Sequence, residues 1–257
     1  MPDAPPDPFR PDTRRIRLLG LPVNDLTMAE TLDAVDRFIA TRRVHHHVVI
    51  NVSKVVQADR DPELRAIIES CDLVSADGQP IVWASRLLGR PLRARVTGVD
   101  LMVRLIERAS ERGHRLYLLG AREPVVRAAA ARIVREHPGT TVAGWHNGYW
   151  AADREEDLVR EIAASRPDIL FVAISSPRKE QFLAQWKDVI DAPFVMGVGG
   201  SFDVYAGFTR RAPRWMQRIG LEWLFRVAQE PRRMWRRYLS DAPRFARIVI
   251  RAKLGRT

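Results

Sequence analysis

From residue 16 onward, short apolar runs alternate with longer stretches in which apolar residues recur every three or four positions. Runs of four to six apolar residues predict buried strands, and a period of three to four predicts amphipathic helices. The predicted strands are Ile16–Gly20, His47–Asn51, Leu73–Ala76, Arg115–Gly120, Thr140–Trp145, Ile169–Ile174 and Phe194–Gly197. The predicted helices are Met28–Thr41, Pro62–Ser70, Pro80–Leu88, Val99–Arg112, Val125–Glu136, Asp157–Ala164 and Lys179–Val189. This alternation predicts an α/β fold, a Rossmann-like, mostly parallel sheet with helices on both faces.

The pattern changes after Ser201, where three basic helices are predicted over residues 213–228, 230–239 and 243–254. The first carries one apolar stripe, made of Trp215, Ile219, Trp223 and Val227. The last carries an apolar face (Phe245, Ile248, Val249, Ala252) and a basic face (Arg244, Arg247, Arg251). Such a helix either lies on a membrane surface or packs on the body. We therefore predict a disordered leader over residues 1–15, an α/β core over 16–203 and a basic helical appendage over 204–257.

Charge separates the same two regions. The chain has 42 Lys and Arg against 31 Asp and Glu, a net charge of +11. Residues 204–257 hold 14 of the cations and three acids (Glu222, Glu230, Asp241), so the rest of the chain is neutral. A cationic end predicts an anionic partner, which is either a membrane surface or a nucleic acid. In this region Trp residues alternate with Arg, and such an arrangement can stack bases and contact phosphates. A nucleic-acid-binding protein is therefore the alternative hypothesis.

Composition excludes several classes of protein. The first 15 residues lack the apolar segment of a signal peptide, and no run of 18 apolar residues predicts a spanning helix. A single cysteine, Cys71, excludes a disulfide scaffold and fits a reducing compartment. The hydrophobic fraction of 46% is ordinary for a chain with a large buried core.

Polar or small residues close three predicted strands, namely Asn51, Asp77 and Gly120. Ligands of parallel α/β sheets bind outside the carboxyl ends of the strands. Asp77, followed by Gly78, is placed to act as a general base on an acceptor hydroxyl. The alternative is that Asp77 caps the helix that begins near Pro80.

A glycine-rich loop, Gly197–Gly207, follows the last predicted strand, and its backbone N–H groups around Gly199 and Gly200 can bind phosphate or hydroxyl oxygens. It does not match the dinucleotide fingerprint, and the chain has no Walker A motif, so a nucleotide-dependent dehydrogenase is not favoured.

Two sequence features could suggest a metal site, but neither fits one. Asp59-Arg60-Asp61 is predicted as a turn, and the three successive histidines His45–His47 alternate between the two faces of a strand, so they cannot converge on one ion. We therefore expect no metal and no cofactor. A diphosphate leaving group would then need protein cations, for which Arg95 and the tail arginines are candidates.

An ordered set of short motifs resembles one family. The motifs include Asn51-Val-Ser-Lys, Ala76-Asp-Gly, Arg95-Val-Thr-Gly-Val-Asp, Leu118-Leu-Gly, Gly197-Val-Gly-Gly-Ser-Phe-Asp, Arg211-Ala-Pro and Gly220-Leu-Glu-Trp-Leu-Phe-Arg. Together they resemble the WecG/TagA/CpsF bacterial glycosyltransferases, glycosyltransferase family 26, over about residues 16–240. The resemblance implies inverting, metal-independent transfer from a UDP-sugar to a sugar on a polyprenyl diphosphate, at the cytoplasmic membrane face. The donor sugar would be of the N-acetylmannosamine type, its uronic acid, or glucose, in cell-surface or exopolysaccharide synthesis.

The resemblance also implies roles for residues. Asp77 matches the proposed general base, and Asn51 and Arg95 match pocket positions. Arg226, Arg233 and Arg236 match appendage arginines that bind the donor diphosphate, on a segment that also seats the enzyme on the membrane. The chain departs from the family at Val49, where a threonine is common, and at Lys179, which replaces a glutamine able to bind a sugar. Nucleic acid is not a partner under this hypothesis, and homo-oligomer formation is left open.

Overall fold

The structure is a computed structural model that describes residues 14–255 apart from 219 and 230, and apart from the side chains of 214, 218, 226 and 231–238. The strands are β1 (Arg15–Leu18), β2 (Leu21–Asn24), β3 (His45–Ile50), β4 (Leu73–Ala76), β5 (Arg115–Gly120), β6 (Thr141–His146), β7 (Ile169–Ala173) and β8 (Phe194–Gly197). The helices are α1 (Met28–Thr41), α2 (Val52–Ala58), α3 (Pro62–Ser70), α4 (Gln79–Leu87), α5 (Gly98–Arg112), α6 (Glu123–Glu136), α7 (Glu155–Ala164), α8 (Arg178–Ile190), α9 (Ser201–Tyr205), α10 (Arg214–Arg218), α11 (Glu222–Gln229) and α12 (Pro231–Lys253). A 3₁₀ turn, Ala152–Arg154, precedes α7.

Six strands form one sheet in the order β4-β3-β8-β7-β5-β6, and every pairing in it is parallel. The first two strands instead form an antiparallel hairpin that lies against β4. Asn24 at the end of this hairpin accepts a hydrogen bond from the backbone N–H of Val74 at 2.7 Å. The hairpin thus covers an edge strand that would otherwise expose its backbone groups.

Helices cover both faces of the sheet. Helices α1, α5, α6 and α9 contact one another over one large apolar cluster, which includes Phe38, Phe171 and Phe194. Helices α2, α3, α7 and α8 cover the opposite face together with the hairpin. The parallel α/β fold predicted from the sequence is confirmed, and it directs six strand ends toward one edge of the sheet.

Most predicted elements agree with the structure to within two residues at each end. The predicted elements omit β2, α2, α9 and the 3₁₀ turn Ala152–Arg154. Helix α1 begins with a capping box, because Thr27 accepts from the N–H of Glu30 and the Glu30 carboxylate accepts from the N–H of Thr27. The predicted strand Ile16–Gly20 belongs to the hairpin and not to the main sheet. The leader predicted over residues 1–15 lies mostly outside the residues that the structure describes.

The appendage differs from the prediction in two ways. The first predicted helix is divided into α10 and α11, because Gly220 adopts a left-handed φ of +79° that ends α10. Trp215 and Trp223 therefore lie on different helices, and with 60% and 39% of their surface exposed they do not form one buried stripe. The second and third predicted helices are instead one helix, α12, which continues through Pro243. A proline inside a helix costs about 3 kcal/mol, and packing of the following turns offsets this cost.

Those turns of α12 pack on α2 and complete an apolar cluster. Ile248 and Val249 are 6% and 8% exposed within it. Arg251 pairs with Asp59 at the end of α2, and the Lys253 ammonium donates to the carbonyl oxygen of Leu87 at 2.8 Å. Of the two alternatives for this helix, packing on the body is the correct one. No helix among the described residues has the length and apolar character needed to span a membrane.

Candidate active site

Asp77 is the first residue after β4, at the carboxyl edge of the sheet. Its backbone N–H donates to the carbonyl oxygen of Ile50 at 2.8 Å, and the side chain is half-buried. Gly78 then turns the chain with a φ of +97°, a value that favours glycine. Helix α4 begins at Gln79 with Gly78 at its N-cap position and no side-chain cap. The alternative role of Asp77 as a helix cap is therefore wrong.

Asn51 and Arg95 lie beside Asp77. Ile50 and Ala76 are paired across β3 and β4, so Asn51 and Asp77 are the next residues on adjacent strands, about 4.8 Å apart. The N–H of Val96 donates to the carbonyl oxygen of Ala76 at 3.2 Å, which places Arg95 at the same edge. The fold thus brings together three residues that are spread over 44 positions of the chain, from Asn51 to Arg95.

Each of these two neighbours retains hydrogen-bonding capacity. The Asn51 amide oxygen caps α2 by accepting from the N–H of Lys54 at 3.0 Å, whereas its amide nitrogen donates to no described residue. The Arg95 side chain is 19% exposed and forms one ion pair, with Glu222 at 3.9 Å, and no hydrogen bond within the described part of the chain. A sheltered guanidinium with unused donors is suited to binding an anion.

The glycine-rich loop follows β8, the next strand along the edge after β3. Gly199 has a φ of +53°, and Gly200 has an ordinary φ of −76°. A Cβ atom added at either residue would meet no protein atom within 4 Å. Packing therefore does not require glycine at Gly200, and the loop leaves space in which a ligand can approach the backbone.

Gly120 has a different role. A Cβ atom at this position would lie 2.5 Å from the carbonyl carbon of Ala173 on the neighbouring strand, and φ is +123°. Both features require glycine for the fold itself. With β5 four strands from β4, Gly120 is about 19 Å from the strand end that carries Asp77. The structure therefore gives Gly120 a packing role and separates it from the Asp77 group.

Lys179 lies in a buried charge cluster next to the glycine-rich loop. Its ammonium is 3.3 Å from the Glu180 carboxylate, which also pairs with Lys54, and the Ser176 hydroxyl donates to the other carboxylate oxygen at 2.7 Å. Burial lowers the pKa of Lys54 to about 8, with a further contribution from the positive charge of Lys179. Burial opposes ionisation of Glu180, but the two ammonium groups outweigh it and lower the pKa of Glu180 to about 2.

A second charge network joins the appendage to the site. Arg211 donates to both carboxylate oxygens of Asp100, one of them at 2.8 Å, and its Nε lies 3.5 Å from Glu222. Thr97 caps α5 and donates to Asp100 at 2.6 Å. Because Glu222 also pairs with Arg95, charges of alternating sign link the appendage to a pocket residue. We refer to Arg95, Asp100, Arg211 and Glu222 as the latch.

Sequence reasoning missed the roles of Lys54, Glu180 and the latch acids. Lys54, Asp100 and Glu222 occur in motifs that the sequence analysis noted, and Glu180 follows Lys179, but only the fold shows which of these residues meet. Arg226, Arg233 and Arg236 lie on α11 and α12, and their side chains are outside the described residues. Across the described ranges, no three His, Cys, Asp or Glu side chains are grouped so as to hold a metal ion.

Comparison with known proteins agrees with the resemblance. The model of the "Glycosyl transferase WecG/TagA/CpsF family" matches residues 16–257. A protein from Bacillus spizizenii strain W23 is 36% identical over 76% of this chain and 74% of its own length. One from Bacillus subtilis strain 168 is 30% identical over 90% of both chains, and one from Staphylococcus aureus strain MW2 is 28% identical over 95% of both. All three carry the name N-acetylglucosaminyldiphosphoundecaprenol N-acetyl-β-D-mannosaminyltransferase. The chain belongs to the WecG/TagA/CpsF family of glycosyltransferases.

Proposed function

We propose that this glycosyltransferase moves a sugar from a UDP-sugar to a sugar carried on a polyprenyl diphosphate, with inversion and without a metal ion. The donor sugar is of the N-acetylmannosamine type, its uronic acid, or glucose, and the product enters cell-surface or exopolysaccharide synthesis. The activities for which the relatives are named support this substrate class. The observation that carries the proposal is the position of Asp77, at a strand end beside Asn51 and Arg95 and not used as a helix cap.

In this proposal the Asp77 carboxylate accepts the proton of the acceptor hydroxyl. The hydroxyl oxygen forms a bond to the anomeric carbon as the bond to UDP breaks, so the new linkage forms on the face opposite the leaving group. The Asn51 amide nitrogen is available to orient a sugar hydroxyl. A base of this kind contributes typically 10²–10⁴-fold to the rate.

The donor diphosphate carries two negative charges, and UDP leaves with a third on the β-phosphate oxygen released from the anomeric carbon, so the leaving group needs stabilisation. Arg95 supplies one cation from the body, and the open backbone at Gly199 and Gly200 supplies N–H donors. Arg226, Arg233 and Arg236 of the appendage are assigned to the diphosphate by the family resemblance alone. The appendage, residues 204–257, is therefore proposed to close the site, and residues 16–203 to form the catalytic core.

The test is the substitution Asp77→Asn, assayed by UDP release with UDP-N-acetylmannosamine and a lipid-diphosphate-linked N-acetylglucosamine acceptor. We expect turnover to fall by at least 100-fold, with unchanged UDP affinity and an unchanged thermal midpoint. Asp72→Asn is the matched control, because Asp72 lies at the other end of β4, where it accepts from the N–H of His46. Near wild-type turnover of the Asp77→Asn enzyme would refute the assignment of the base.

We further propose that the enzyme is peripheral on the inner face of the cytoplasmic membrane, where its acceptor lies. The apolar face of the last turns of α12 is packed on the body, so lipid contact must use other groups. Phe208, Trp215 and Leu224 are 53%, 60% and 44% exposed, and they lie in the cationic part of the chain. Exposed aromatic side chains near cations suit the interface of an anionic bilayer.

Vesicle co-sedimentation tests this second proposal. Binding to vesicles with anionic phosphatidylglycerol should exceed binding to neutral phosphatidylcholine vesicles and weaken with salt. Trp215→Ala should reduce it, whereas Trp145→Ala, on the distant strand β6, should not. Equal binding to both vesicle types would contradict the proposal. A gel shift with DNA that is stronger than vesicle binding would instead favour the nucleic-acid-binding alternative.

A further inference from the structure

Two buried ammonium groups share one carboxylate at the carboxyl edge of the sheet. Lys54 pairs with one Glu180 oxygen and Lys179 lies 3.3 Å from that same oxygen. The side chains of Lys54, Lys179 and Glu180 are 5%, 8% and 1% exposed. The second Glu180 oxygen accepts from Ser176. The carboxylate is fully used, and the group has a net charge of +1.

Neighbouring side chains do not balance this charge. Burial lowers the pKa of His46 to about 4 and that of His47 to about 3, so both are neutral at physiological pH. Burial raises the pKa of the Cys71 thiol, which therefore stays protonated. Asp72, the other acid that acts on this region, accepts from the N–H of His46 at 2.8 Å and lies beside His45. Within the described residues, the lysine pair keeps an excess positive charge.

The excess charge adjoins the space next to the glycine-rich loop. A Cβ atom at Gly197 would overlap the methylene stem of Lys179 and lie 3.3 Å from its ammonium nitrogen. Gly197 ends β8, which pairs with β3, and β3 leads to Asn51. Two and three residues farther on, at Gly199 and Gly200, an added Cβ would meet no protein atom within 4 Å. The ammonium is thus held at the border between packed protein and open space.

We propose that Lys54, Lys179 and Glu180 form an oxyanion subsite, in which Lys179 binds a phosphate or carboxylate oxygen of the substrate. A buried charge is unfavourable unless it is paired, and a substrate oxyanion supplies the missing partner. Lys54 is a positioning residue, because it holds Glu180 and thereby fixes Lys179. The shared chemistry is one negatively charged oxygen group. It comes either from the donor diphosphate or from the carboxylate of a uronic acid donor, so the inference rests on the proposed function.

The subsite has a pH signature. Without ligand, Lys54 loses its proton near pH 8 and the excess charge disappears. A bound anion favours the protonated form and raises the pKa of Lys54 above this value. Between the two values, binding takes up a proton, and affinity falls by up to about tenfold per pH unit as pH rises. Below pH 7 the affinity contribution from this proton is constant.

The test compares Lys179→Gln with Lys187→Gln in the full-length protein. Lys187 lies two turns farther along the same helix and pairs with the exposed Asp188, so it provides the matched control. Titration calorimetry measures the affinity of UDP, UDP-N-acetylmannosamine and UDP-N-acetylmannosaminuronate. Lys179→Gln should weaken binding by at least tenfold and Lys187→Gln should not change it. A loss for all three ligands identifies the diphosphate, and a loss for the uronate alone identifies the sugar carboxylate.

Unchanged affinity of the Lys179→Gln protein for all three ligands would overturn the subsite. If that variant does not fold, the pH dependence of the wild-type protein decides the matter. Ligand affinity must fall and binding must take up protons somewhere between pH 7 and pH 10, and binding without uptake across that whole range also overturns the subsite. Pyrophosphate and free glucuronate are added as probes that need no nucleotide recognition. If the wild-type protein binds no UDP ligand, the proposed donor class fails. The subsite then stands only if one of these two probes raises the thermal midpoint in the wild-type and Lys187→Gln proteins but not in Lys179→Gln.

Discussion

Removing the latch should loosen the appendage while the body stays folded. Arg211→Met keeps the length of the side chain but removes two hydrogen bonds to Asp100 and the ion pair with Glu222. Hydrogen bonds to charged groups contribute about 1.5–3 kcal/mol when buried, and exposed ion pairs about 0–1 kcal/mol. Because the Arg211 and Asp100 side chains are 23% and 39% exposed, we expect a loss of about 1–2 kcal/mol. The local opening constant of α11 should rise roughly 5- to 30-fold.

Hydrogen exchange followed by mass spectrometry measures this opening for the amides of α11. Arg104→Met is the control, because Arg104 lies on α5 as Asp100 does, but pairs with the exposed Glu107 and not with a described residue of the appendage. The effect of the substitution should depend on pH. Burial raises the pKa of Asp100, but the hydrogen bonds from Arg211 and Thr97 outweigh burial and hold the pKa below its usual value. The stabilisation that ionised Asp100 gives to the folded state is therefore present above pH about 4, and it is lost as pH falls through the lowered folded-state pKa. Unchanged exchange in α11, or an equal rise in β7, would refute the latch.

Three further predictions concern the fold around the site. Gly120→Ala should prevent stable folding because of the 2.5 Å approach to Ala173, whereas Gly200→Ala should fold normally and weaken UDP affinity, as thermal unfolding and calorimetry would show. Ile248→Ala should lower the free energy of unfolding, measured in urea, by about 2–5 kcal/mol, because this residue is 6% exposed in the cluster under α12. A loss below about 0.5 kcal/mol would mean that α12 does not pack on the body. Glu180→Gln should cost about 3–5 kcal/mol because it leaves two buried ammonium groups without a carboxylate, and a rise in the thermal midpoint would contradict this.

The sequence predicted the layered α/β fold because buried parallel strands are continuous apolar runs, such as Ile169–Ala173. It missed α2 because this short helix, Val52–Ala58, is itself an apolar run with buried residues on most sides. The two appendage errors have opposite causes. Gly220 ended a helix where the apolar period continued, and Pro243 did not end one, because the turns that follow it are held by tertiary packing.

The candidate site was predicted in part for a similar reason. Strand-end polar residues such as Asp77 are visible in the sequence because the fold class itself places them at one edge. Partnerships between residues far apart, such as Lys54 with Glu180 or Arg95 with Glu222, depend on which helices meet. No local period or motif contains that information. Lys179 was recognised only as a departure from a family pattern, and its buried pairing emerged from the structure.

The cationic tail is fixed to the body at both of its ends. Near its start Arg211 binds Asp100, and near its end Arg251 pairs with Asp59 and Lys253 binds the carbonyl oxygen of Leu87. Helix α12 thereby contacts α2 and α4, the two helices that begin next to Asn51 and Asp77. Residues 214–237 between these attachments hold seven arginines and two acids. A cation-rich segment attached at both ends to elements that start at the strand ends is confined near them. If this segment binds the donor diphosphate, as we propose, its attachment lowers the entropic cost of closing it over that group.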